Sequence, residues 1–329
     1  MEKAQLVISR NRIGTDGEGI RTLVSLSGCP LNCRYCINPH LKKEFPEEKR
    51  FTPQSLLERV RIDRHAFLAT GGGITFSGGE PLMHSDFILE FCGIRDPRWS
   101  IAVETSLYVP EERIEALLDC VDTWIVDIKT VNPEKYAEYT GRPLDRALRN
   151  LFYLDRALRS LPGKRLVVRL PEIPEYTDGD DVAEAEEFLR AQLGEDVTFD
   201  RLKYVEGRFM ADEPDGKRIC DVLRTVRGVL AESAGIGLKQ RICTNTENCS
   251  GTCPACDLET EVLNAALDKK GSVDYAAVRE ILEDIFPGEF EMRLSAGDET
   301  ELAGITLMGE AVMPELPGVI EHDDIENFE

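Results

Sequence analysis

Three cysteines lie close together near the start of the chain, in the stretch SGCPLNCRYCINPH at residues 27–40. Cys29, Cys33 and Cys36 have the spacing C-x3-C-x2-C, and no fourth cysteine lies nearby. Four thiolates hold a structural zinc ion, whereas three thiolates can ligate three irons of an iron–sulfur cube and leave the fourth iron open to a reactant. Two other interpretations remain: a zinc ion that takes a distant fourth ligand, and a few free thiols.

A second group of cysteines lies in the stretch RICTNTENCSGTCPACDLE at residues 241–259. Its spacing is C-x5-C-x3-C-x2-C, and the glycine and proline between the cysteines are typical of a loop wrapped around a metal centre. We expect an auxiliary [4Fe–4S] cluster here, with a structural zinc ion or reduced or redox-paired thiols as the alternatives. The four cysteines of this group are Cys243, Cys249, Cys253 and Cys256.

The remaining cysteines and the composition indicate a cytoplasmic protein. Cys92, Cys120 and Cys220 lie in apolar helical patterns, where buried unreactive thiols are expected. Ten cysteines in 329 residues indicate reduced thiols and metal ligands, because cytosolic redox pools keep disulfides open. The N-terminal residues lack the layout of a signal peptide, and the chain has no run of about 18 apolar residues that would predict a membrane span.

The charge of the chain argues against nucleic acid as a partner. The net charge is −22, from 61 acidic and 39 basic residues, and a phosphate backbone attracts the opposite sign. The acidic excess is steepest after Arg293, where ten Asp or Glu residues and no Lys or Arg occur. We predict that this tail is a solvated segment, although its apolar stretch LAGITLMGEAVM could pack on the body or on a partner.

The first two thirds of the chain alternate β-rich runs with amphipathic helical stretches, which predicts βαβ units and a parallel sheet. The predicted strands are residues 22–26, 73–77, 100–106, 123–129, 165–173 and 201–205. The predicted helices are residues 53–69, 85–95, 110–120, 143–160 and 180–193. In such folds the ligand site lies at the C-terminal ends of the strands. The residues expected to meet there are the cysteine loop, Gly78-Gly79-Glu80, Glu104-Thr105, Asp127 and Lys129.

Beyond about residue 208 the pattern of the chain changes. A loop is followed by a predicted helix at residues 219–233, then by the second cysteine group, and then by helices around residues 258–269 and 273–286. We therefore divide the chain into a core domain at residues 1–208, a cysteine-rich C-terminal module at 209–292 and an acidic tail at 293–329.

The order and spacing of several motifs resemble a known family. C-x3-C-x2-C, followed one strand–helix unit later by FSGGEP, is the signature of radical S-adenosylmethionine (radical SAM) enzymes. The segments GTDGEGIRTLVSLSGCPLNCRYCINP, ATGGGITFSGGEPLMHSDF, VETS and VDIK are similar to the pyruvate formate-lyase activating enzyme family of glycyl-radical-enzyme activases. The resemblance covers roughly residues 10–178. It implies an α/β fold with a partial (β/α)6 TIM-like barrel, which a mainly helical, cysteine-rich module would follow.

The resemblance also implies the chemistry of the first cysteine loop. The amino and carboxylate groups of S-adenosylmethionine would chelate the open iron of a [4Fe–4S] cluster ligated by Cys29, Cys33 and Cys36. One electron from the reduced cluster would cleave the sulfonium carbon–sulfur bond and give methionine and a 5′-deoxyadenosyl radical. Gly78 and Gly79 would let the backbone approach the methionine moiety, and Glu80 would anchor their loop or receive the ammonium group.

Further residues match positions around the cofactor in that family. A monovalent cation, Na+ or K+, would be bound by Glu104, Thr105 and Asp127, although the family commonly has Asp where Glu104 stands. Lys129 and Arg169 match residues that contact the cofactor carboxylate, with an ordinary ion pair at a strand end as the alternative. Residues expected beside the adenine or the cluster are Tyr35 and Asn38.

One position departs from the family pattern. The activase has a histidine after its last core strand that touches the cofactor, whereas this chain reads RLKYVEG at residues 201–207. Val205 occupies the nearest position, and the candidates to stand in for the histidine are Tyr204 and Glu206.

The expected reaction is hydrogen abstraction from a carbon of a protein or peptide, with the glycine Cα of a partner glycyl-radical enzyme as the leading target. The alternative is a radical peptide maturase that epimerises, crosslinks or oxidises a ribosomal precursor peptide, which the C-terminal cysteines favour. An iron–sulfur or zinc-binding regulator on a degenerate radical SAM fold is disfavoured by the intact cysteine triad. A flavodoxin- or ferredoxin-type protein would donate the electron, and neither nucleic acid nor a membrane is expected as a partner.

Overall fold

The computed structural model describes residues 3–42, 50–203, 216–240 and 253–294 and has an α/β architecture. Its strands are β1 (Ala4–Ile13), β2 (Ile20–Leu26), β3 (Arg50–Phe51), β4 (Gly73–Gly78), β5 (Ser100–Thr105), β6 (Thr123–Asp127), β7 (Arg165–Glu172) and β8 (Thr198–Lys203). Its helices are α1 (Pro53–Val60), α2 (Arg64–Thr70), α3 (Ser85–Ile94), α4 (Glu111–Glu115), α5 (Pro133–Thr140), α6 (Asp145–Leu158), α7 (Gly179–Arg190), α8 (Gly216–Ser233), α9 (Pro254–Lys270) and α10 (Tyr275–Ile285).

The eight strands form one sheet in the order β3-β1-β2-β4-β5-β6-β7-β8. The six strands β2 and β4–β8 are parallel. At least one helix precedes each of the strands β4–β8 in the chain. Strand β1 pairs antiparallel with β2, and the short β3 pairs antiparallel with β1. The α/β class, the partial (β/α)6 TIM-like barrel and the helical C-terminal region that the sequence predicted are confirmed.

The two faces of the parallel strands have different chemistry, because successive side chains of a strand point to opposite sides. Phe76, Val103 and Trp124 are fully buried in the main hydrophobic core, where the barrel wall packs against the helices. The alternating positions carry polar residues such as Ser77 and Glu104, which contact each other inside the barrel. The barrel therefore has an apolar outer wall, and its inner face carries polar side chains as well as the apolar Ile125 and Val167.

The N-terminal end of the barrel is closed by backbone from the turn between β1 and β2. The Thr75 hydroxyl donates a hydrogen bond of 2.7 Å to the Asp16 carbonyl, and Arg169 Nη2 donates one of 2.9 Å to the Thr15 carbonyl. The end of the described chain adds to this closure, because the Arg293 amide donates to the Gly14 carbonyl at 2.8 Å. The predicted site lies at the opposite end of the barrel, where the C-terminal ends of the parallel strands meet.

The C-terminal helices pack against the barrel. A second hydrophobic cluster combines residues of α8, α9 and α10 with Ile13, Ile20 and Ala69 of the core. The predicted boundary at residue 208 and nearly all of the acidic tail lie outside the described residues, so the division into three parts stays a prediction. None of the described helices has the length and apolarity needed to cross a membrane.

The structure corrects several predicted elements. Strand β1 and helix α5 were not predicted; α5 begins after Asn132, whose side chain caps it, and ends at Gly141. The predicted helix at 53–69 is interrupted by a 3-10 turn at Arg61–Asp63. The predicted helix at 110–120 contains only one short α-helix, Glu111–Glu115. The last strand starts three residues before its predicted beginning, at Thr198.

Candidate functional site

The cysteine loop and the Gly-Gly-Glu loop are bound to each other through their backbones. The Gly79 amide donates to the Leu26 carbonyl and the Glu80 amide to the Gly28 carbonyl, both at 2.8 Å. A Cβ atom on Gly79 would lie 2.0 Å from the Gly28 oxygen, so only glycine permits this approach. Gly78 has a φ of 106°, which also favours glycine. The glycines that we assigned to the cofactor thus hold the cysteine loop in place.

The three cysteines of the loop are near one another and partly exposed. Burial raises the pKa of Cys29 to about 12, and the charges of Glu80, Cys33 and Cys36 contribute to this rise. Burial also raises the pKa of Cys33, while the Lys129 ammonium opposes the shift. Within the described part of the chain, no three His, Cys, Asp or Glu side chains converge on a position for one metal ion.

A wall of tyrosines and the end of α5 support the cysteine loop. The Asn32 and Arg34 amides donate to the carbonyls of Thr140 and Tyr139, at 2.8 and 3.1 Å. The ring of Tyr35 meets that of Tyr176 edge to face. Cys33 and Tyr35 pack against a small cluster formed by Tyr139, Ile173 and Tyr176.

Two predicted cofactor contacts also join loops at the mouth of the barrel. The Tyr35 hydroxyl donates to Glu175 Oε2 at 2.9 Å, which ties the cysteine loop to the turn after β7. Asn38 Nδ2 donates to the Gly78 carbonyl at 3.2 Å, which ties it to the Gly-Gly-Glu loop. Both residues therefore lie at the face where the sequence predicted them.

Glu80 is fully buried and joins the loops after β4 and β5. Its carboxylate accepts hydrogen bonds from the Thr105 hydroxyl at 2.6 Å and from the Ser106 amide and hydroxyl at 2.9 and 2.6 Å. It also accepts one from the Leu82 amide at 3.2 Å. Burial raises the pKa of Glu80 even though these donors favour the charged form. These contacts place Glu80 as an anchor of its loop.

An ion-pair network lies inside the barrel around Arg169. Arg169 Nη1 donates to Glu104 Oε1 at 2.7 Å, and its Nε donates to Asp200 Oδ2 at 3.0 Å. Burial alone would lower the pKa of Arg169, but the charges of Glu104 and Asp200 raise it. Burial raises the pKa of Glu104, and Arg169 opposes that shift. Arg169 therefore forms buried ion pairs in this structure.

Asp127 and Lys129 lie next to the cysteine loop and offer one unused acceptor. Lys129 pairs with Asp127 Oδ2. Burial alone would lower the pKa of Lys129, but Asp127 and then Cys33 raise it. The other oxygen, Asp127 Oδ1, is buried and has no hydrogen-bond partner among the atoms described. A buried carboxylate oxygen without a donor suits an ammonium group or a cation, so this position fits a bound cofactor.

The three residues predicted to bind a monovalent cation are not equally available. Glu104 accepts from Arg169 and, through Oε2, from the Ser77 hydroxyl at 2.7 Å. The Thr105 hydroxyl donates to Glu80 and accepts from the Leu107 amide at 2.9 Å. Of the three, Asp127 alone has an acceptor with no partner among the described atoms. The cation site stays a prediction.

Sequence reasoning missed three side chains that belong to this site. Ser77 bonds to Glu104, Ser106 bonds to Glu80, and Asp200 bonds to Arg169. Polar residues at alternate positions of the buried strand GITFSG could have indicated that Ser77 points into the barrel. Asp200 was missed because the last strand was predicted to begin one residue after it.

The second cysteine group is described only in part. Cys253 lies at the N-cap of α9, and Cys256 lies in its first turn. Cys243 and Cys249 lie outside the described residues, as do Tyr204, Val205 and Glu206. The three scattered cysteines differ in burial: Cys220 is buried, whereas Cys92 and Cys120 are partly exposed.

The chain is similar to several activating enzymes. It is 27% identical over 241 residues to the (2S)-3-sulfopropanediol dehydratase activating enzyme of Klebsiella oxytoca, covering 54% of this chain and 74% of that protein. It is 28% identical over 287 residues to the isethionate sulfite-lyase activating enzyme of Nitratidesulfovibrio vulgaris, covering 67% and 92%. It is 32% identical over 155 residues to the pyruvate formate-lyase-activating enzyme of Listeria monocytogenes, covering 41% and 58%.

Among solved structures, Streptococcus suis SuiB bound to S-adenosylmethionine matches with a TM-score of 0.39 and 16% identity, over 60% of this chain and 42% of that one. The family described as the radical SAM superfamily matches residues 23–189, which is half of the chain, and this family implies a [4Fe–4S] cluster and S-adenosylmethionine. The chain belongs to the radical SAM superfamily.

Proposed function

We propose that this protein is a glycyl-radical-enzyme activase, which uses S-adenosylmethionine to abstract a hydrogen atom from a glycine Cα of a partner enzyme. The observation that carries the proposal is the backbone pairing of the three-cysteine loop with the Gly-Gly-Glu loop at the open end of the barrel. The similarity to activating enzymes at 27–32% identity supports the choice of partner class.

The residues at the mouth fit the cofactors that the family implies. Cys29, Cys33 and Cys36 would hold three irons of the cluster and leave one iron for the cofactor. The Asp127 Oδ1 atom would be the open acceptor for the monovalent cation considered below, and the neighbouring Lys129 would offset the charge of a cofactor carboxylate. When bound and reduced by a one-electron donor, the cluster would supply the electron that splits the cofactor into methionine and a 5′-deoxyadenosyl group able to take a hydrogen atom.

The aromatic wall beside the cysteine loop would shape the cofactor pocket. Tyr35 and Asn38 would border the adenine or the cluster, since both lie on the loop that carries the cysteines. Gly78 and Gly79 would present their backbone groups to the methionine moiety, while the position of a Cβ on each is taken by the backbone of Leu26 or Gly28. Arg169 binds Glu104 and Asp200. It would donate a hydrogen bond to the cofactor carboxylate only through an N–H group that binds neither of them.

A monovalent cation, Na+ or K+, would bind near Asp127. Glu104 and Thr105 would join it only by exchanging the contacts they make with Arg169, Ser77 and Glu80. The test is the dependence of 5′-deoxyadenosine formation on KCl or NaCl at constant ionic strength. Replacement of both salts by a choline salt is expected to slow the reaction, and an unchanged rate would contradict the cation site.

The activase proposal is tested with a partner enzyme. The protein is reconstituted anaerobically and supplied with S-adenosylmethionine and either dithionite or a reduced flavodoxin or ferredoxin. It is then mixed with a candidate glycyl-radical enzyme from the same organism. A stable organic radical signal in electron paramagnetic resonance is expected, and a glycine labelled with 13C in the partner should split that signal. Release of 5′-deoxyadenosine without any partner radical would contradict the activase function.

The second candidate function is a radical peptide maturase, and the C-terminal cysteines are the feature that favours it. Their proposed metal centre, an auxiliary [4Fe–4S] cluster or zinc, would then take up an electron or hold the substrate. A change in the mass or stereochemistry of a precursor peptide would support this alternative. The position of Cys253 and Cys256 at the start of α9, which is not a strand end, does not support a role at the barrel mouth.

A further inference from the structure

The turn after β7 carries Glu175 in a strained backbone conformation. Its φ is 68°, in the left-handed region, and only two other non-glycine residues of the described ranges have a positive φ. A residue with a side chain is unfavourable there, because its Cβ approaches the following carbonyl oxygen. Such strain persists only where the surrounding structure enforces it, and it is concentrated at functional sites. The role of the Glu175 side chain therefore needs an explanation.

The turn is closed by hydrogen bonds of the residues on either side of Glu175. The Ile173 amide donates to the Thr177 hydroxyl at 2.7 Å, and the Thr177 amide donates back to the Ile173 carbonyl at 2.9 Å. The Thr177 hydroxyl donates in turn to the Pro171 carbonyl at 2.8 Å. Ile173 and Thr177 are buried, whereas Glu175 between them is exposed. These bonds do not involve the Glu175 side chain, so glycine would suit the turn without strain.

The Glu175 carboxylate reaches the cysteine loop at Tyr35, the residue before Cys36. The Tyr35 hydroxyl donates to Glu175 Oε2 at 2.9 Å. The ring of Tyr35 meets the ring of Tyr176, the residue after Glu175, edge to face with centroids 6.3 Å apart. The turn after β7 thus holds the Tyr35 side chain both at its ring and at its hydroxyl.

We propose that Glu175 is a positioning residue, which fixes the side chain of Tyr35 as a wall of the S-adenosylmethionine pocket. This inference rests on the proposed function, in which Tyr35 borders the adenine or the cluster. A hydrogen bond to a carboxylate is stronger than one between neutral groups, so it holds the phenol in one orientation. A side chain that is already ordered loses less entropy when the cofactor binds, and the affinity rises accordingly.

The experiment measures cofactor binding without turnover. Labelled S-adenosylmethionine is dialysed to equilibrium against the anaerobically reconstituted, unreduced protein. Glu175→Ala and Tyr35→Phe are each expected to weaken binding by about 3-fold to 10-fold, the effect of losing one ordinary hydrogen bond. Both should keep the iron and sulfide content of the parent. The double variant should bind as tightly as either single variant, because both changes remove the same hydrogen bond.

Three further variants separate positioning from stability and from net charge. Glu175→Gln keeps an oxygen acceptor and should restore part of the affinity. Glu175→Gly should bind as weakly as Glu175→Ala but unfold at a higher urea concentration, because glycine relieves the positive φ. The matched control is Glu184→Ala, which removes a negative charge from an exposed position of α7, the helix after this turn. It should bind the cofactor like the parent.

The outcomes distinguish this inference from the proposed function. A parent protein that binds no S-adenosylmethionine would refute the proposed function and the role of Glu175 together. If the parent binds it and Glu175→Ala binds it equally well, only the role of Glu175 is refuted. The same holds if the effects of Glu175→Ala and Tyr35→Phe add, or if binding falls only in step with iron content.

Discussion

The Glu80 amide donates a 2.8 Å hydrogen bond to the carbonyl of Gly28, the residue just before Cys29. This bond makes the Gly-Gly-Glu loop a support for the loop that would ligate the cluster. The same Glu80 binds Thr105 and Ser106 through its buried carboxylate. The geometry of the cysteine loop therefore depends on two neighbouring strand ends.

Replacing Gly79 by alanine should impair cluster assembly. The added Cβ would lie 2.0 Å from the Gly28 oxygen, so the cysteine loop must move. Iron and sulfide bound at the first loop after anaerobic reconstitution should fall, as measured in a background with Cys253→Ser and Cys256→Ser. Gly93→Ala in α3 is the control, because a Cβ there meets no atom within 4 Å. Equal iron content in the two variants would contradict this account of Gly79.

Replacing Arg169 by glutamine should destabilise the fold. Glu104 and the fully buried Asp200 would lose their shared cation. Breaking a buried ion pair from one side typically costs about 3–5 kcal/mol in the free energy of unfolding. Urea denaturation of the anaerobic protein measures the loss.

The control for Arg169 is Arg201→Gln. Arg201 also binds a carboxylate, Glu186, but its side chain is 38% exposed. A pair of this kind contributes up to about 1 kcal/mol. Similar losses in the two variants would show that the network inside the barrel has no special role in stability.

The stability of the protein should fall as the pH drops through about 6.5, the usual pKa of histidine. His65 lies at the interface of α2, α9 and α10. Burial lowers its pKa, and the charge of Arg64 adds to this effect, whereas Asp268 opposes it. Tyr275 also binds the ring, and Arg98 lies near it. The folded state then holds fewer protons than the unfolded state between the lowered pKa and about 6.5, so acidification favours unfolding.

His65→Gln should flatten this dependence. The unfolding midpoints of the parent and the variant are compared at about pH 7.5 and about pH 5.5, on either side of the usual histidine pKa. The lowered pKa of Asp268 acts in a more acidic range, where carboxylates titrate, and does not account for a change in this window. A midpoint that falls equally in both proteins would assign the pH dependence to other groups.

The barrel could be predicted from the sequence because each strand has one face buried against helices. The run GITFS alternates apolar and polar residues, TWIVD is a short continuous apolar run, and the ends of the two runs place Gly78 and Asp127 at one edge. Strand β1 could not be found in this way, since Arg10 and Arg12 interrupt its pattern. Both arginines are half-buried and are bound by Asp63, Asp257 and Asp16, and residues 63 and 257 are distant in sequence.

The partners of the site residues could be predicted less well than their positions. Glu104 and Arg169 lie on β5 and β7, which are not neighbours in the sheet, so their contact across the barrel depends on its curvature. The contact of Arg227 with Glu259 likewise depends on how α8 and α9 pack. Local sequence patterns carry no information about such pairings.

The measurement that tests the central claim most directly is the cleavage of S-adenosylmethionine by the anaerobically reconstituted and reduced protein. We expect one 5′-deoxyadenosine to form for each methionine. Cys29→Ala, Cys33→Ala and Cys36→Ala should each abolish it, because each would remove a proposed iron ligand at the mouth of the barrel. Zinc in place of iron at this loop, or an intact sulfonium after reduction, would contradict the account.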